Sequence, residues 1–378
     1  MPRFLSCLLI LASFILLTLS SLIFLEAPKI WIWKATILAT EYGHRIAIVA
    51  ILGAFFSYRE SKIAFSLFLI STVLLNIPLF TCRSMQEPLK AQMQQVFHLE
   101  MPVNPSTMLN PTKLYWGRSI QEKIPHTFTY ATHGGIALDV DFVAARLTRN
   151  APCILAIHGG GWNSGNRTQL SPLNTWLSER GFAVASIDYR LAPQSKWPAP
   201  REDAMAAIAY LKQNSSQLGI DPTQIILLGR SAGGQIAEQI AYSAHDPAIR
   251  GVVAYYSPAD LNFAYKYSSP DDILDSSQLL KDYVGGSPQE NPKKYNDASA
   301  IQFVSKDSPP TLLFHGARDE LVWIKQSERL SKVLNDYKVP HVFVRYRFTT
   351  HGFDYNLNGP SGLISLYALE HFLRVVTR

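Results

Sequence analysis

The sequence predicts an α/β fold with a doubly wound, mostly parallel β-sheet, preceded by an N-terminal α-helical transmembrane region. Short apolar and β-branched runs alternate with helical patterns from about residue 127 onwards, as a sheet covered by helices on both faces requires. The motif Gly229-Arg-Ser-Ala-Gly233 stands between one such run and a helix-prone stretch. The first 80 residues hold most of the chain's apolar excess, which indicates a membrane region ahead of the sheet.

Two uncharged apolar runs in the N-terminal region are long enough to cross a bilayer core of about 30 Å, Phe4–Leu25 and Ile63–Phe80. A third run, Ile46–Phe56, is too short alone, and its upstream extension contains Glu41 and Arg45. These charges are spaced i,i+4, so that they pair on one helix face near an interface. We therefore predict a transmembrane region over 1–82 with three helices, near 4–25, 37–58 and 63–80. A membrane-surface helix is the alternative for the second.

The number of spans decides the side on which the rest of the chain lies. With Arg3, Arg59 and Lys62 on the cytoplasmic side, three spans place the residues after Phe80 outside the cytoplasm, whereas two spans return them to the cytosol. We predict a multi-pass membrane protein whose C-terminal domain lies on the non-cytoplasmic side. Cleavage of the first apolar run as a signal peptide is the competing interpretation.

Residues 83–126 are polar and contain Pro102, Pro105 and Pro111, a composition typical of a stalk or linker, with one helix expected over Glu87–Phe97. The net charge of +6 is mild and compatible with an anionic membrane surface. Because no dense Lys/Arg cluster is present in the sequence, nucleic acid is not predicted as a partner.

The C-terminal domain, 127–378, begins with a predicted hairpin over Thr127–Tyr130 and Ile136–Phe142. The pattern then predicts parallel strands over Ile154–Ile157, Ala183–Ile187, Ile225–Leu228, Gly251–Tyr255, Leu312–Phe314 and Val342–Tyr346. Helices are predicted near Leu170–Arg180, Pro200–Gln213, Gln235–Ala244, Ile324–Leu334 and Gly362–Val375. The long segment 258–306 carries several aromatic residues and is predicted to fold over the neighbouring site as a lid, with a surface excursion as the alternative.

A serine between two glycines at a strand-to-helix turn is typical of a nucleophile elbow, which makes Ser231 a candidate nucleophile. Acyl transfer by a serine also needs a base and an acid that orients the base. Asp319 and His351 each follow a predicted strand, in the chain order that this architecture requires. Glu320 is a rival acid, because spacing alone does not separate neighbouring carboxylates.

The third requirement of acyl transfer is a set of donors for the developing oxyanion. The run His158-Gly-Gly-Gly-Trp162 directly follows a predicted strand. Glycines without side chains allow backbone N–H groups to point at a negative charge, so this loop is the candidate source of the donors.

From about Thr127 to Arg378 the chain resembles α/β-hydrolases of the carboxylesterase and hormone-sensitive-lipase-like group, and it is similar to small bacterial esterases. The matching motifs are His158-Gly-Gly-Gly-Trp162, Asp188-Tyr-Arg-Leu-Ala-Pro193, Pro198-Ala-Pro-Arg-Glu-Asp203, Gly229-Arg-Ser-Ala-Gly233, His315-Gly-Ala-Arg-Asp319 and His351-Gly-Phe353. The resemblance implies an α/β-hydrolase fold with Ser231 as nucleophile, His351 as base and Asp319 as its orienting acid. It also implies an oxyanion hole formed by the N–H groups of Gly160, Gly161 and Ala232, and no cofactor or metal.

The function that these features predict is membrane-anchored hydrolysis of carboxylic esters, either small molecules or lipids, through an acyl-enzyme. Amide or peptide hydrolysis and acyl transfer to another acceptor are alternatives on the same scaffold. A non-catalytic binding module is the alternative from a different class.

Overall fold

The computed structural model describes residues 2–98, 108–118, 120–146, 149–169 and 171–378. Its helices are α1 (Pro2–Ser21), α2 (Ile30–Glu41), α3 (Gly43–Ser57), α4 (Lys62–Phe97), α5 (Pro111–Trp116), α6 (Ser171–Ser178), α7 (Ala199–Gln213), α8 (Ser215–Leu218), α9 (Ala232–Ser243), α10 (Leu261–Lys266), α11 (Ser276–Val284), α12 (Pro292–Ala298), α13 (Lys325–Asp336) and α14 (Pro360–Val376). Its strands are β1 (His126–His133), β2 (Ile136–Val143), β3 (Ala151–Ile157), β4 (Ala183–Ile187), β5 (Ile220–Arg230), β6 (Ile249–Tyr255), β7 (Thr311–Gly316) and β8 (His341–Tyr346).

The described strands form one sheet in the order β1-β2-β4-β3-β5-β6-β7-β8. β1 and β2 form an antiparallel hairpin, β2 is also antiparallel to β4, and the other neighbouring pairs are parallel. β3, β4, β6 and β7 are almost entirely buried, because helices cover both faces, and this explains their uninterrupted apolar sequences. Each predicted strand lies within one of the observed strands, so the predicted mostly parallel sheet is confirmed.

Each face of the sheet carries its own apolar core. Leu227 belongs to the core under α7, α9 and α13, whereas its neighbour Leu228 belongs to the core under α6, α14 and the second half of α4. This division follows from the alternation of side chains along a strand. The helices predicted near 200–213, 235–244, 324–334 and 362–375 are confirmed as α7, α9, α13 and α14. α6 matches the helix predicted near Leu170–Arg180, whose first residue, Leu170, lies outside the described residues.

The helix predicted over 37–58 is wrong as a single element. The structure has two helices there, α2 and α3, with a bend of 79° between them. At the bend, Gly43 packs so closely on α4 that a Cβ atom would lie 2.6 Å from the carbonyl oxygen of Leu75. The bend therefore depends on a contact with a helix some thirty residues further along, which the local apolar pattern does not reveal.

Glu41 and Arg45 do not form the predicted pair, because the bend removes their helical i,i+4 spacing. Glu41 is fully buried, and its Oε2 accepts from the backbone N–H of Ser361 at 3.2 Å, in the first turn of α14. Arg45 donates from Nε to the carbonyl of Leu114 at 2.6 Å, in the last turn of α5. A carboxyl oxygen at a helix N-terminus and a guanidinium at a C-terminus satisfy backbone groups that helices leave unpaired. The two side chains thus dock the N-terminal helices onto the sheet domain.

The helix predicted over 63–80 continues as α4 to Phe97, so residues 83–97 are not an extended linker. Leu89, Met93 and Phe97 are buried in the core beneath α14. The change from apolar to polar composition near residue 82 thus marks a change in the surroundings of the helix, rather than its end. Pro102 and Pro105 lie outside the described residues, and the division of the chain into domains stays a prediction.

Two helical stretches among the described residues are apolar and long enough to cross a membrane, Phe4–Phe24 and Lys62–Phe97. The bent pair α2 and α3 gives a third stretch only when both helices are counted together. α1, α3 and α4 contact one another through small buried residues, which include Ala47, Ala50, Ala54 and Ala64. Their outward faces expose large apolar side chains, which include Phe4, Phe14, Phe55, Phe56, Ile63 and Val73.

Candidate active site

Ser231 occupies the sharp turn between β5 and α9. Its backbone φ of 51° lies in the left-handed region that residues with a side chain rarely adopt. A Cβ atom at Gly229 would lie 2.2 Å from the carbonyl oxygen of Gly233, and one at Gly233 would lie 2.2 Å from that of Ile157. The close approach of β3, β5 and α9 therefore requires both glycines. This strained turn has the geometry of a nucleophile elbow.

The loop after β3 brings Gly160 and Gly161 to the cavity that Ser231 lines. Gly160 has a φ of 119°, and a Cβ atom there would lie 2.2 Å from the carbonyl oxygen of Ser164. Within the described parts of the chain, no acceptor pairs with the backbone N–H of Gly160 or Gly161. Ala232 is the first residue of α9, where backbone N–H groups have no partner inside the helix. The structure thus brings these three residues together, and their oxyanion role stays a prediction.

Asp319 and His351 meet at the ends of β7 and β8. Nδ1 of His351 lies 2.7 Å from Oδ2 of Asp319, and both residues are buried. The other oxygen, Oδ1, accepts from the backbone N–H groups of Leu321 at 3.0 Å and Val322 at 2.8 Å. Burial alone would raise the pKa of Asp319, but the charge on His351 and hydrogen bonds from His315 and His351 outweigh it and lower the pKa to about 2. Asp319 is therefore a carboxylate throughout the neutral range.

Glu320, the rival acid, forms no hydrogen bond with His351 among the described residues. Oε2 of Glu320 is buried without a hydrogen-bond partner among the described residues. Burial raises the pKa of Glu320, while the backbone N–H of Ala27 opposes that shift. Of the two neighbouring carboxyl groups in the turn after β7, only that of Asp319 contacts the histidine.

A buried network beneath the site was not predicted from the sequence. Arg230, the variable residue of the elbow motif, forms a buried ion pair with Asp354. The hydroxyl of Tyr256 donates to the same carboxylate at 2.5 Å, and its ring lies 4.1 Å from the ring of His351. The network joins the nucleophile turn to the histidine loop. In the sequence, the network is indicated only by one charged residue beside each of two motifs, Arg230 before Ser231 and Asp354 after His351-Gly-Phe353.

Arg190, in the motif Asp188-Tyr-Arg-Leu-Ala-Pro193, forms its contacts within the fold. It donates from Nε to Oδ1 of Asp203 at 2.8 Å, and its backbone N–H donates to Oδ2 at 2.8 Å. These contacts hold the loop after β4 against α7. Arg190 is therefore engaged within the fold.

Two cavities meet at Ser231. The first is bordered by Phe263 and Tyr267 of the segment 258–306 and by Trp323 of the loop after β7. The rings of Phe263 and Trp323 stack with centroids 5.6 Å apart, so this wall is aromatic. The second cavity contains His351 and is bordered by Ile30 and Trp33, which come from α2. Sequence reasoning did not place any residue of the N-terminal helices at the site.

The sheet order and the strained strand-to-helix turn at Ser231 define the class of this protein as an α/β-hydrolase. The profile of the BD-FAE family matches residues 138–334, more than half of the chain. The chain therefore belongs to this family of hormone-sensitive-lipase-like α/β-hydrolases.

Several known proteins are similar to this chain. The probable carboxylic ester hydrolase LipM of Mycobacterium tuberculosis is 32% identical over 246 residues, which are 61% of this chain and 56% of LipM. Esterase LipQ of the same organism is 31% identical over 242 residues, 60% of this chain and 56% of LipQ. The chain thus spans a little over half the length of these relatives. The structure of the esterase Est2 from Thermogutta terrifontis has the same fold, with a TM-score of 0.54 and 20% identity, over 65% of this chain and 89% of Est2.

Proposed function

We propose that the chain is a membrane-anchored serine esterase in which Ser231 is the nucleophile, His351 the general base and Asp319 the acid that orients it. One observation carries this proposal: His351 contacts Asp319 at 2.7 Å through Nδ1 and lines the same cavity as Ser231. With Nδ1 engaged by a carboxylate, Nε2 is the nitrogen that exchanges a proton with serine. The relatives LipM and LipQ, which are named as ester hydrolases, support an ester as the substrate.

The proposed reaction consists of two acyl transfers. Ser231 Oγ attacks the ester carbonyl carbon while His351 takes the hydroxyl proton, and the carbonyl oxygen becomes an oxyanion. The amides that donate to it are those of Gly160, Gly161 and Ala232. The intermediate expels the alcohol oxygen, which His351 protonates, and an acyl-serine remains. Water then attacks the acyl-serine and gives a proton to His351, and the collapse of the second intermediate releases the acid and restores Ser231.

Turnover of a chromogenic ester series by the full chain in detergent tests this proposal. The series runs from acetyl to long-chain p-nitrophenyl esters, together with the corresponding anilides. We expect turnover of esters and little turnover of anilides. Turnover of the anilides alone would favour an amide hydrolase, and a folded chain that cleaves neither contradicts the proposed esterase.

We also propose that the segment 258–306 shapes the acyl pocket as a lid. Phe263→Ala removes a ring from the aromatic wall and so enlarges the cavity. We therefore expect the ratio of kcat/KM for the octanoyl ester to that for the acetyl ester to change by about tenfold. The exposed neighbour Lys266 provides the control variant, Lys266→Ala, which leaves this ratio unchanged. An identical acyl profile for Phe263→Ala and the unaltered chain would contradict the lid.

The membrane anchor is proposed to consist of three spans: α1, the bent stretch 37–58 that includes the end of α2 and all of α3, and the first half of α4. Their outward apolar side chains and small-residue contacts support a lipid environment. The exposed residues Arg59 and Glu60 occupy the turn between α3 and α4, as expected for a polar turn outside the bilayer. With that turn on the cytoplasmic side, the sheet domain lies on the non-cytoplasmic side.

Cysteine labelling tests this topology. In a Cys7→Ser background the remaining cysteines, Cys82 and Cys153, are buried. A membrane-impermeant maleimide applied to intact cells is expected to label Lys293→Cys, an exposed position of the sheet domain, and not Arg59→Cys. The reverse labelling pattern would place the sheet domain in the cytoplasm.

A further inference from the structure

The position of His351 decides which cavity receives which half of the ester. The base of a serine esterase protonates the leaving alcohol, so the alcohol oxygen must lie on the histidine's side of Ser231. Of the two cavities at Ser231, the one bordered by Ile30 and Trp33 contains His351. The aromatic cavity near Phe263 does not include His351 among its bordering residues. The cavity bordered by Ile30 and Trp33 is therefore the alcohol cavity, and the aromatic cavity near Phe263 is the acyl cavity.

One wall of the alcohol cavity comes from α2 and is apolar. Ile30 and Trp33 both border it, and their side chains are one helical turn apart. Trp33 is partly buried, and its Nε1–H donates to the carbonyl oxygen of His351 at 3.1 Å. Its ring also packs beside Gly352, where an added Cβ atom would lie 3.4 Å from Cζ2 of Trp33. The wall is thus in direct contact with the histidine loop.

α2 is fixed against the sheet domain at both of its ends. At the C-terminal end, Glu41 accepts from the backbone N–H of Ser361, and its carbonyl accepts from Asn356 Nδ2 at 3.0 Å. Before the N-terminal end, the carbonyl of Phe24 accepts a hydrogen bond from Arg318, the residue next to Asp319. Because α2 is attached at two points, the distance between this wall and Ser231 is fixed. A fixed wall is needed for an enzyme to discriminate among substrates of different size.

We propose that Ile30 and Trp33 form the alcohol site of the enzyme, and that its substrates are esters of apolar alcohols. This inference rests on the proposed esterase function. Ile30 is itself 46% exposed beside the exposed Trp31, and Leu25, directly after the apolar stretch Phe4–Phe24, is exposed as well. The alcohol site therefore adjoins the apolar surface that is proposed to lie in the membrane. An alcohol with a long alkyl chain gains free energy both from that wall and from the neighbouring lipid.

The test separates the two halves of the ester. In one series the acyl group is butyryl and the alcohol varies from methanol to 1-octanol, with acid release measured by pH-stat. In the other the alcohol is p-nitrophenol and the acyl group varies. We expect Trp33→Ala and Ile30→Ala to lower kcat/KM for octyl butyrate relative to methyl butyrate by about tenfold or more, mainly through KM. The acyl-chain preference should stay the same.

Two further variants separate the role of the Trp33 ring from that of its N–H group and provide a control. Trp33→Phe retains an apolar ring but removes the N–H donor, so we expect a lower kcat on every ester with a nearly unchanged alcohol preference. Trp31→Ala is the matched control on the same helix, because Trp31 is 64% exposed and does not border the cavity. An unchanged alcohol preference in both Trp33→Ala and Ile30→Ala, with the unaltered chain active, would overturn the alcohol site alone. An inactive but folded unaltered chain would instead overturn the proposed esterase.

Discussion

Ser231→Ala is expected to lower ester turnover by about 10⁴- to 10⁶-fold. Without the hydroxyl no acyl-enzyme forms, and His351 has no nucleophile to deprotonate. The residual rate comes from substrate binding and from the oxyanion donors. The measurement is kcat for p-nitrophenyl butyrate with the full chain in detergent.

The control for this variant is its fold. Alanine has the same backbone preferences as serine at the strained φ of 51°, so the thermal midpoint should change little. A fluorophosphonate probe should label the unaltered chain on Ser231 and fail to label the variant. Turnover or labelling that survives in Ser231→Ala would assign the nucleophile to another residue.

Asp319→Asn is expected to lower kcat by about 10⁴-fold, with a small change in KM. Asparagine at this position replaces the carboxylate with an amide. The carboxylate oxygen that lies 2.7 Å from His351 Nδ1 is thereby lost. The imidazole then loses the partner that sets its tautomer and stabilises its cationic form. Steady-state kinetics across the ester series measure the loss.

Glu320→Gln is the matched control for the acid. It makes the same chemical change one residue further on, at a carboxyl that does not contact His351, and kcat should fall by less than about tenfold. An inactive Glu320→Gln beside an active Asp319→Asn would transfer the acid role to Glu320.

The lowered pKa of Asp319 adds a second readout. A carboxyl with a folded-state pKa of about 2, below the ordinary value of 3.8, stabilises the fold above pH 3.8 and loses that contribution as the pH falls towards 2. Asp319→Asn should therefore lower the free energy of unfolding at pH 7 more than at pH 3. An equal loss at both pH values would contradict an ionised, hydrogen-bonded Asp319.

The sheet and the location of the candidate site within it follow from local patterns in the amino-acid sequence. Buried parallel strands have uninterrupted apolar sequences, and the strand-to-helix turn at Ser231 needs Gly229 and Gly233 because backbones approach to contact distance there. Asp319 and His351 were identifiable because each follows a strand whose end lies at the same edge of the sheet. All of these signals are short-range patterns in the sequence.

The choice between Asp319 and Glu320 depends on the folded chain, because neighbouring residues have the same sequence context and only the contact with His351 separates them. The bend between α2 and α3 and the docking of Glu41 on α14 depend on contacts with distant helices. The contact between Trp33 and His351 joins residues 318 positions apart. No periodicity reports such a pairing, because it arises from the way in which two separately formed parts of the chain pack together.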